Sequence, residues 1–595
     1  MSTPPPPSTQ PADSFNPLRQ FLRNEHLLLF ALAIVIGVGA AYAAIGFRKL
    51  IGLVQLGSFG TASESLASTV AALPAWQVVL VPAAGGLAVG LIVRYVVKGQ
   101  QPHGVAEVIE ATAMRAGRMT AREGLAAATA TVISVGTGGS VGREGPVVHM
   151  GATIASLIST RLHLSRSLTL TLLGCGVASA VAASFNAPIA GAFFALEVVV
   201  GHYALSAFSP VVVASVAGTI IARLHLGDYP AFVVPVRELV SFAEIPAFLL
   251  LGVASAGAAI LFTRSTLLVR TLWNRVPAPV FIRPAIAGLA IGAIALALPE
   301  ILGVGYEATD QALREALPLG LLLLLLVAKI GASALCLGSG MAGGVFSPSL
   351  FIGAMLGGAF GLVAALVFPD LASSQGVYAI AGMGAVAGAV LGAPMSTILM
   401  IFELTGSYEI TVVVMVATAV AALVTRQLAG RSYFHMLLAA RGVRVEEGRE
   451  VGHISDIKVH DVMTHDIHRL PASSPIDDIK RLLASAPDTD IVVVDEAGHL
   501  VGMVGFSEIR DIAFESEHDP SLTAADVATR SPVSLLADDD IATCLRLMDA
   551  NDLRRLPVVE GDGNNRVLGV VRERDAVLAY NRALITARRE SEGGG

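Results

Sequence analysis

The chain has 595 residues, 54% apolar and only 15% charged, with a mean hydropathy of +0.69; soluble domains carry about 25% charged residues, so the composition excludes an ordinary soluble protein. Its formal charge of −7 is unevenly spread. Residues 441–595 hold 18 basic and 29 acidic side chains and the first 440 hold 22 and 18, which separates a membrane-embedded part from an acidic soluble tail and leaves no basic cluster for nucleic acid.

Residues 1–16, with Pro4 to Pro7 followed by polar side chains, read as a disordered tip too polar for a signal peptide. A membrane domain is expected over 17–445, with apolar runs at 27–45, 78–97, 125–136, 147–160, 168–183, 187–200, 208–223, 246–263, 283–299, 319–336, 349–368, 377–390, 394–404 and 411–427. A bilayer core takes about 20 helical residues. The shorter runs therefore predict broken helices that end at membrane depth, against protein or a water-filled cavity. Arg19, Arg23 and Lys49 flank the first run and Arg431, Arg441 and Arg444 follow the last. With an even number of crossings this predicts a multi-pass protein of the inner or plasma membrane with both termini cytoplasmic.

An internal repeat is visible in the motifs. Asn186-Ala187-Pro188 precedes Glu197 by nine residues from its proline, and Gly392-Ala393-Pro394 precedes Glu403 by the same nine, at an offset of 206. Upstream, Gly142-Arg143-Glu144-Gly145-Pro146 and Gly344-Val345-Phe346-Ser347-Pro348 each place Gly-x-x-x-Pro at the head of an apolar helix, at an offset of 202. Two homologous halves near 80–230 and 280–430 follow, with substrate expected where their broken helices meet.

Beyond a linker at 446–456, the tail alternates helix-like and strand-like runs. The first unit, 457–516, has 476–483, Ile491–Val494, Leu500–Val504 and a helix expected at 507–514. The second, 524–583, repeats the order through 541–548, 556–559, 567–571 and 575–580, before a disordered tail at 584–595. Two β-α-β-β-α units of this size resemble a tandem pair of CBS domains. Cys175, Cys336 and Cys544 lie too far apart for a disulfide framework or a zinc site, and no metal is expected.

Glu144 is the first residue to ask about, because an ionisable side chain at membrane depth is costly and marks function by default. Pro146 suits a first helical turn, and a glycine-flanked helix N-terminus offers free amides and a positive dipole to a dehydrated anion. A deprotonated Glu144 would occupy that spot and block it; protonated, it could swing away. The competing reading is a local Arg143–Glu144 structural pair.

Gly142–Pro146, Gly344–Pro348 and the stretch from Phe185-Asn186-Ala187-Pro188 to Gly191 resemble three signature stretches of the CLC chloride channels and transporters, to which a CBS pair is a common appendage. The resemblance covers about 27–583. It implies an all-α polytopic membrane fold of two inverted-topology repeats with a C-terminal α/β CBS pair, a homodimer with one pathway per subunit, and Glu144 as the gate. Anion binding is implied at Gly142, Arg143, Glu144 and Gly145 and at the amides around Val345 and Phe346.

Three departures from the family pattern stand out. The usual Gly-Ser-Gly-Ile-Pro stretch reads Pro102-His103-Gly104-Val105-Ala106, so His103 replaces the serine donor; a neutral imidazole still donates one N–H, and an anion beside it favours the doubly protonated form. The competing reading is a histidine packed beside Gly104 without ionic contact. After Ala195-Leu196-Glu197 the proton-transfer glutamate of coupled members is Val198, as in the family's channels, which points to passive conduction; Glu197 and Glu403 read as structural carboxylates paired with backbone. The anion-facing tyrosine aligns with Phe434, with Tyr433 one residue away as its substitute.

CBS units often take adenine nucleotides on Gly-x-x-Thr-x-x-Asp. The first unit offers Gly502 with Glu508 and no threonine; the second offers Gly569, Arg572 and Asp575, so only Asp575 is intact. A ligand-free dimerisation module is the competing reading. No cofactor is required and no enzyme activity is expected: none of the thirteen histidines precedes a glutamate, which removes a His-Glu-x-x-His protease, and the helical core has few carboxylates for a cation pore. The expected function is a voltage- or pH-gated chloride channel. A chloride/proton antiporter, or a member selective for another small anion, is the alternative.

Overall fold

The computed structural model describes residues 25–63, 65–97, 101–201, 205–228, 239, 241–369, 372–443, 457–485, 491–504, 522–530, 532–561 and 565–592. The tip at 1–16, the linker at 446–456, the helix expected at 507–514 and Glu508 lie outside them. The chain divides into two compact units, Met1–Val445 and Glu446–Gly595.

The first unit is helical throughout. Its first half comprises α1 (Glu25–Phe59), α2 (Ala75–Tyr95), α3 (Val105–Met114), α4 (Ala121–Gly136), α5 (Glu144–Arg161), α6 (Arg166–Phe185), α7 (Pro188–Phe194) with a π-helical turn at Ala195–Val200, and α8 (Leu205–Leu226). The second half repeats this order as α9 (Ile245–Arg275), α10 (Arg283–Ala295), α11 (Tyr306–Leu313), α12 (Leu319–Ser339), α13 (Phe346–Val367), α14 (Gln375–Leu391), α15 (Pro394–Thr405) and α16 (Tyr408–Ala429), and α17 (Tyr433–Ala440) follows. Among the described residues, eight helical spans are long and apolar enough to cross a membrane by length and composition. Helices as short as α7 and α15 are the broken pieces that the short apolar runs predicted; α3 and α11 fall between those runs and were not foreseen.

The breaks have a local cause. Asn186 ends α6 and Gly392 ends α14 in the left-handed region, at φ 58° and 69°, a conformation open to glycine and tolerated by asparagine. In each half an alanine and then a proline follow, and the proline opens the next helix at a position where its missing N–H costs nothing.

The halves meet around a two-fold relation that the contacts display directly. Where α2 packs on α10, a Cβ on Gly86 would fall 2.2 Å from the Pro284 carbonyl oxygen, and one on Gly288 would fall 2.1 Å from that of Pro82. Both equivalences, 82 with 284 and 86 with 288, have the offset of 202 seen in the motifs. Glu197 accepts the N–H groups of Met395 (3.0 Å) and Ser396 (2.8 Å), and Glu403 accepts those of Ile189 (2.9 Å) and Ala190 (2.8 Å). Each carboxylate thus caps the short helix of the other half, where first-turn amides lack intrahelical partners. Such mutual contacts are what an inverted pair of repeats produces.

The second unit is α/β: β1 (His468–Pro471), α18 (Ile476–Ser485), β2 (Ile491–Val494), β3 (Leu500–Val504), α19 (Ala524–Val527), β4 (Thr529–Arg530), β5 (Leu535–Leu536), α20 (Ile541–Ala550), β6 (Arg555–Val559), β7 (Val567–Arg572) and α21 (Glu573–Glu592). One sheet runs β1-β2-β3-β4 and the other β5-β6-β7, each opening on a parallel pair followed by an antiparallel one. Two features differ from the expected boundaries. The segment that leads the first unit packs on the second, since Val459 shares a core with Leu535, Ile541 and Leu556; α19 and β4, which lead the second, pack on the first, with Ala524 beside Ile479 and β4 paired to β3. Residues 584–592, expected as disordered tail, continue α21, because the run through Ala587, Arg588, Arg589 and Glu590 holds good helix formers and no breaker before Gly593. The three cysteines are free and buried.

Candidate functional site

The site is built where the two halves touch. Ahead of α5 and α13 the chain forms a single antiparallel bridge, in which Gly142 N–H donates to the Gly344 carbonyl and Gly344 N–H to that of Gly142, each at 2.7 Å. A Cβ on Gly344 would lie 2.9 Å from the Gly145 nitrogen, so the approach requires glycine. The amide of Gly142, predicted to face the anion, is thereby committed to the joint. The joint also brings together the first turns of α5 and α13, two positive dipole ends with free amides.

Glu144, the first residue of α5, is 3% exposed. Its Oε1 accepts hydrogen bonds from Ser347 Oγ and from Tyr306 OH, the latter at 3.1 Å. Arg143 Nε stands 3.9 Å from the same oxygen, and its guanidinium lies 5.0 Å over the Tyr306 ring. The local Arg143–Glu144 pair and a hydroxyl clamp therefore coexist. Oε2 has no hydrogen-bond partner among the described residues. A carboxylate held on one oxygen and unheld on the other can be released by breaking two hydroxyl contacts.

Two cavities lie near, one lined by this carboxylate and one by its partners Arg143 and Tyr306. One, of 360 Å³, is lined by Glu144 and Gly145, by His103 and Gly104 ahead of α3, by Val345 and Phe346 at the head of α13, and by Tyr433 and Phe434 at the head of α17. The other, of 300 Å³, is lined by Arg143 and Tyr306 together with Arg48, Glu300 and Glu307. The hydrogen bond from Tyr306 to Glu144 thus joins a residue of one cavity to a residue of the other. Phe346 packs against Phe185 at 5.0 Å and Phe194 at 6.3 Å, an aromatic wall for the larger cavity.

Glu107 organises the rest. Its carboxylate accepts the Gly104 N–H and the Arg441 guanidinium, tying the loop that carries His103 to the end of α17 and so holding Tyr433 and Phe434 at the cavity. Tyr433 and Phe434 are both buried, and each lines the cavity. Val198 is half-buried against the main core, and both oxygens of Glu197 are spent on α15. In the tail, Asp575 sits in the first turn of α21, three residues after Arg572, which ends β7, and two after residue 573, which begins the helix.

Sequence reasoning missed Tyr306, Ser347, Glu107 and His149. A signal existed for the first. Gly104 and Gly305 both stand one residue before a short helix, α3 and α11, at an offset of 201, so carrying the repeat one motif further would have drawn attention to Tyr306.

Comparison with known proteins identifies the family and the fold. The family model described as voltage gated chloride channel matches residues 85–426, and the CBS domain model matches 459–515 and 524–582. A putative chloride channel protein, ClcB-like, from Ralstonia nicotianae is 36% identical over 393 residues, covering 65% of this chain and 91% of that protein. A eukaryotic CLC transporter structure superposes with a TM-score of 0.66 at 21% identity, covering 94% of this chain and 98% of its own. The structure of a slow cyanobacterial Cl−/H+ antiporter gives 0.62 at 22% identity, covering 69% and 97%. The chain belongs to the voltage gated chloride channel, or CLC, family and carries two CBS domains C-terminal to its membrane unit.

Proposed function

We propose that the protein is an anion channel that passes chloride, or another small anion, through the larger cavity and past Glu144, whose carboxylate blocks the path when charged and clears it when protonated. The observation that carries this reading is the position of Glu144. It lies at the joined N-termini of α5 and α13, held across the halves by Ser347 and Tyr306, and lines the larger cavity while Tyr306 lines the second. Helix N-termini stabilise an anion and a carboxylate alike, so the two compete for one place. His103 supplies a donor from the loop where the family has serine.

Passive conduction is favoured because a proton relay needs titratable groups or ordered water, and Val198 supplies none. Chloride/proton exchange, the activity named for the cyanobacterial neighbour, is the competing mode. The protein is proposed to work as a homodimer in the inner or plasma membrane, with its CBS pair in the cytoplasm regulating opening. An adenine nucleotide there would meet Asp575 at its ribose, while Arg572 stands where a threonine hydroxyl would meet phosphate. The test is chloride flux from proteoliposomes, with fluoride and nitrate in parallel and internal pH recorded throughout. The reading expects a reversal potential set by the chloride gradient and no sustained uphill proton movement; stoichiometric proton pumping would replace it with the exchanger.

A further inference from the structure

Behind His103 lies a second imidazole that gating by Glu144 does not use. His149, on α5, is 2% exposed, and its ring centroid stands 5.6 Å from that of His103. The Nδ1 atoms of both rings are buried without a hydrogen-bond partner among the described residues. Buried polar atoms are almost always paired, and an exception asks for a reason. Two such nitrogens stand at one spot, one of them on a residue that lines the larger cavity, and the hydroxyl clamp on Glu144 accounts for neither.

The surrounding charges leave this role to the histidines. Glu107 is committed to Arg441 and to the Gly104 amide. From neighbouring elements Glu107, Glu123 and Arg115 act electrostatically on His149, and Glu144, Arg270, Arg283 and Arg441 share the cavity lining with His103. Neutral imidazole has one donor and one acceptor; imidazolium has two donors and a positive charge. An anion beside the ring favours the second form.

We propose that His103 and His149 form a proton-binding pair, distinct from Glu144, that takes up a proton when an anion enters the cavity. A proton from water adds to a ring nitrogen of the pair, an N–H of the His103 imidazolium then faces the anion, and the neutral ring of His149 is the proton's alternative holder. By linkage the effect is reciprocal: anion binding draws in a proton, and acidification tightens anion binding. The proposal rests on the reading that the larger cavity holds the anion, and it makes the histidine that replaces serine a coupling residue rather than a passive substitute. It does not require net proton transport.

The test is calorimetric titration of chloride into the full-length protein carrying Glu144→Gln, which removes the gate as a proton acceptor. Titrations in MES and in bis-Tris, both brought to pH without chloride, differ in buffer ionisation heat and so count protons. The expected result is net proton uptake on binding near pH 6.5, and chloride affinity about tenfold higher at pH 5.5 than at pH 7.5. Adding His103→Gln should abolish the uptake and flatten that pH dependence, and adding His149→Gln, which removes the alternative holder, should weaken both; the His103 variant decides the matter if His149→Gln does not fold. Absence of proton uptake in Glu144→Gln, or uptake unchanged by either histidine substitution, would overturn the proposal. Absence of chloride binding altogether would overturn the cavity reading beneath it, a different result in the same titration.

Discussion

The two halves of the membrane unit share one scaffold and divide one task. Glu144 opens α5, and its equivalent at the offset of 202 is Phe346, which opens α13. The first half therefore supplies the carboxylate, and the second supplies both hydroxyls that hold it, Ser347 and Tyr306. Elsewhere the halves remain interchangeable: Glu197 and Glu403 cap each other's half, and Gly86 and Gly288 each meet the other's proline. Symmetry has been kept where the halves bind one another and lost around Glu144. Joint residues should accordingly behave alike in pairs, and the residues around Glu144 should not.

The largest effect is expected at the joint. Gly86→Ala and Gly288→Ala each force a Cβ against a backbone carbonyl at 2.2 Å and 2.1 Å, so α2 and α10 must separate, at a cost of about 3 kcal/mol in either variant. Thermal inactivation of the purified protein would measure it, and tolerance of one alanine but not the other would break the equivalence. Next come Glu197→Ala and Glu403→Ala, each stripping a charged acceptor from two first-turn amides. A loss of about 2 kcal/mol is expected from both, seen as matched drops in melting temperature. Unequal drops would mean that one carboxylate has a task beyond capping.

What the sequence could disclose follows the same division. The repeat was legible because motifs that close one helix and open the next, Asn186-Ala187-Pro188 and Gly392-Ala393-Pro394, carry fixed backbone demands at fixed spacing. Glu144 was legible because a carboxylate among apolar helices needs a reason. Ser347 and Tyr306 were not, since a hydroxyl 203 or 162 positions away from its acceptor gains meaning only when the fold brings the two together. The same holds for His149, whose significance is its distance from another ring. In the tail, short apolar runs located β2, β3, β6 and β7 but not β1, β4 or β5. They could not reveal that Val459 and Ala524 each complete the core of the opposite unit, because an apolar residue does not encode which core it enters.

A smaller effect tests the tail by itself. Asp540 caps α20 by accepting the Thr543 N–H at 2.6 Å, and this hydrogen bond holds its carboxyl below the ordinary value of 3.8. A carboxyl lowered in the folded state stabilises above its unfolded value, and that support fades as the pH falls through the folded one. At pH 7, Asp540→Ala should speed amide exchange in α20 by about fivefold, corresponding to about 1 kcal/mol. As the pH falls through the lowered folded value the two proteins should converge. Equal exchange at pH 7 would show that the cap contributes nothing.

The central proposal, that a carboxylate of one half blocks a path lined by both, is tested most directly by chloride flux through Glu144→Gln in proteoliposomes across about pH 4 to 7. Glutamine keeps the shape and removes the charge. The account predicts flux above wild type at pH 7 and a flat profile, matching wild type at its most acidic. A variant that keeps the wild-type pH dependence would contradict it.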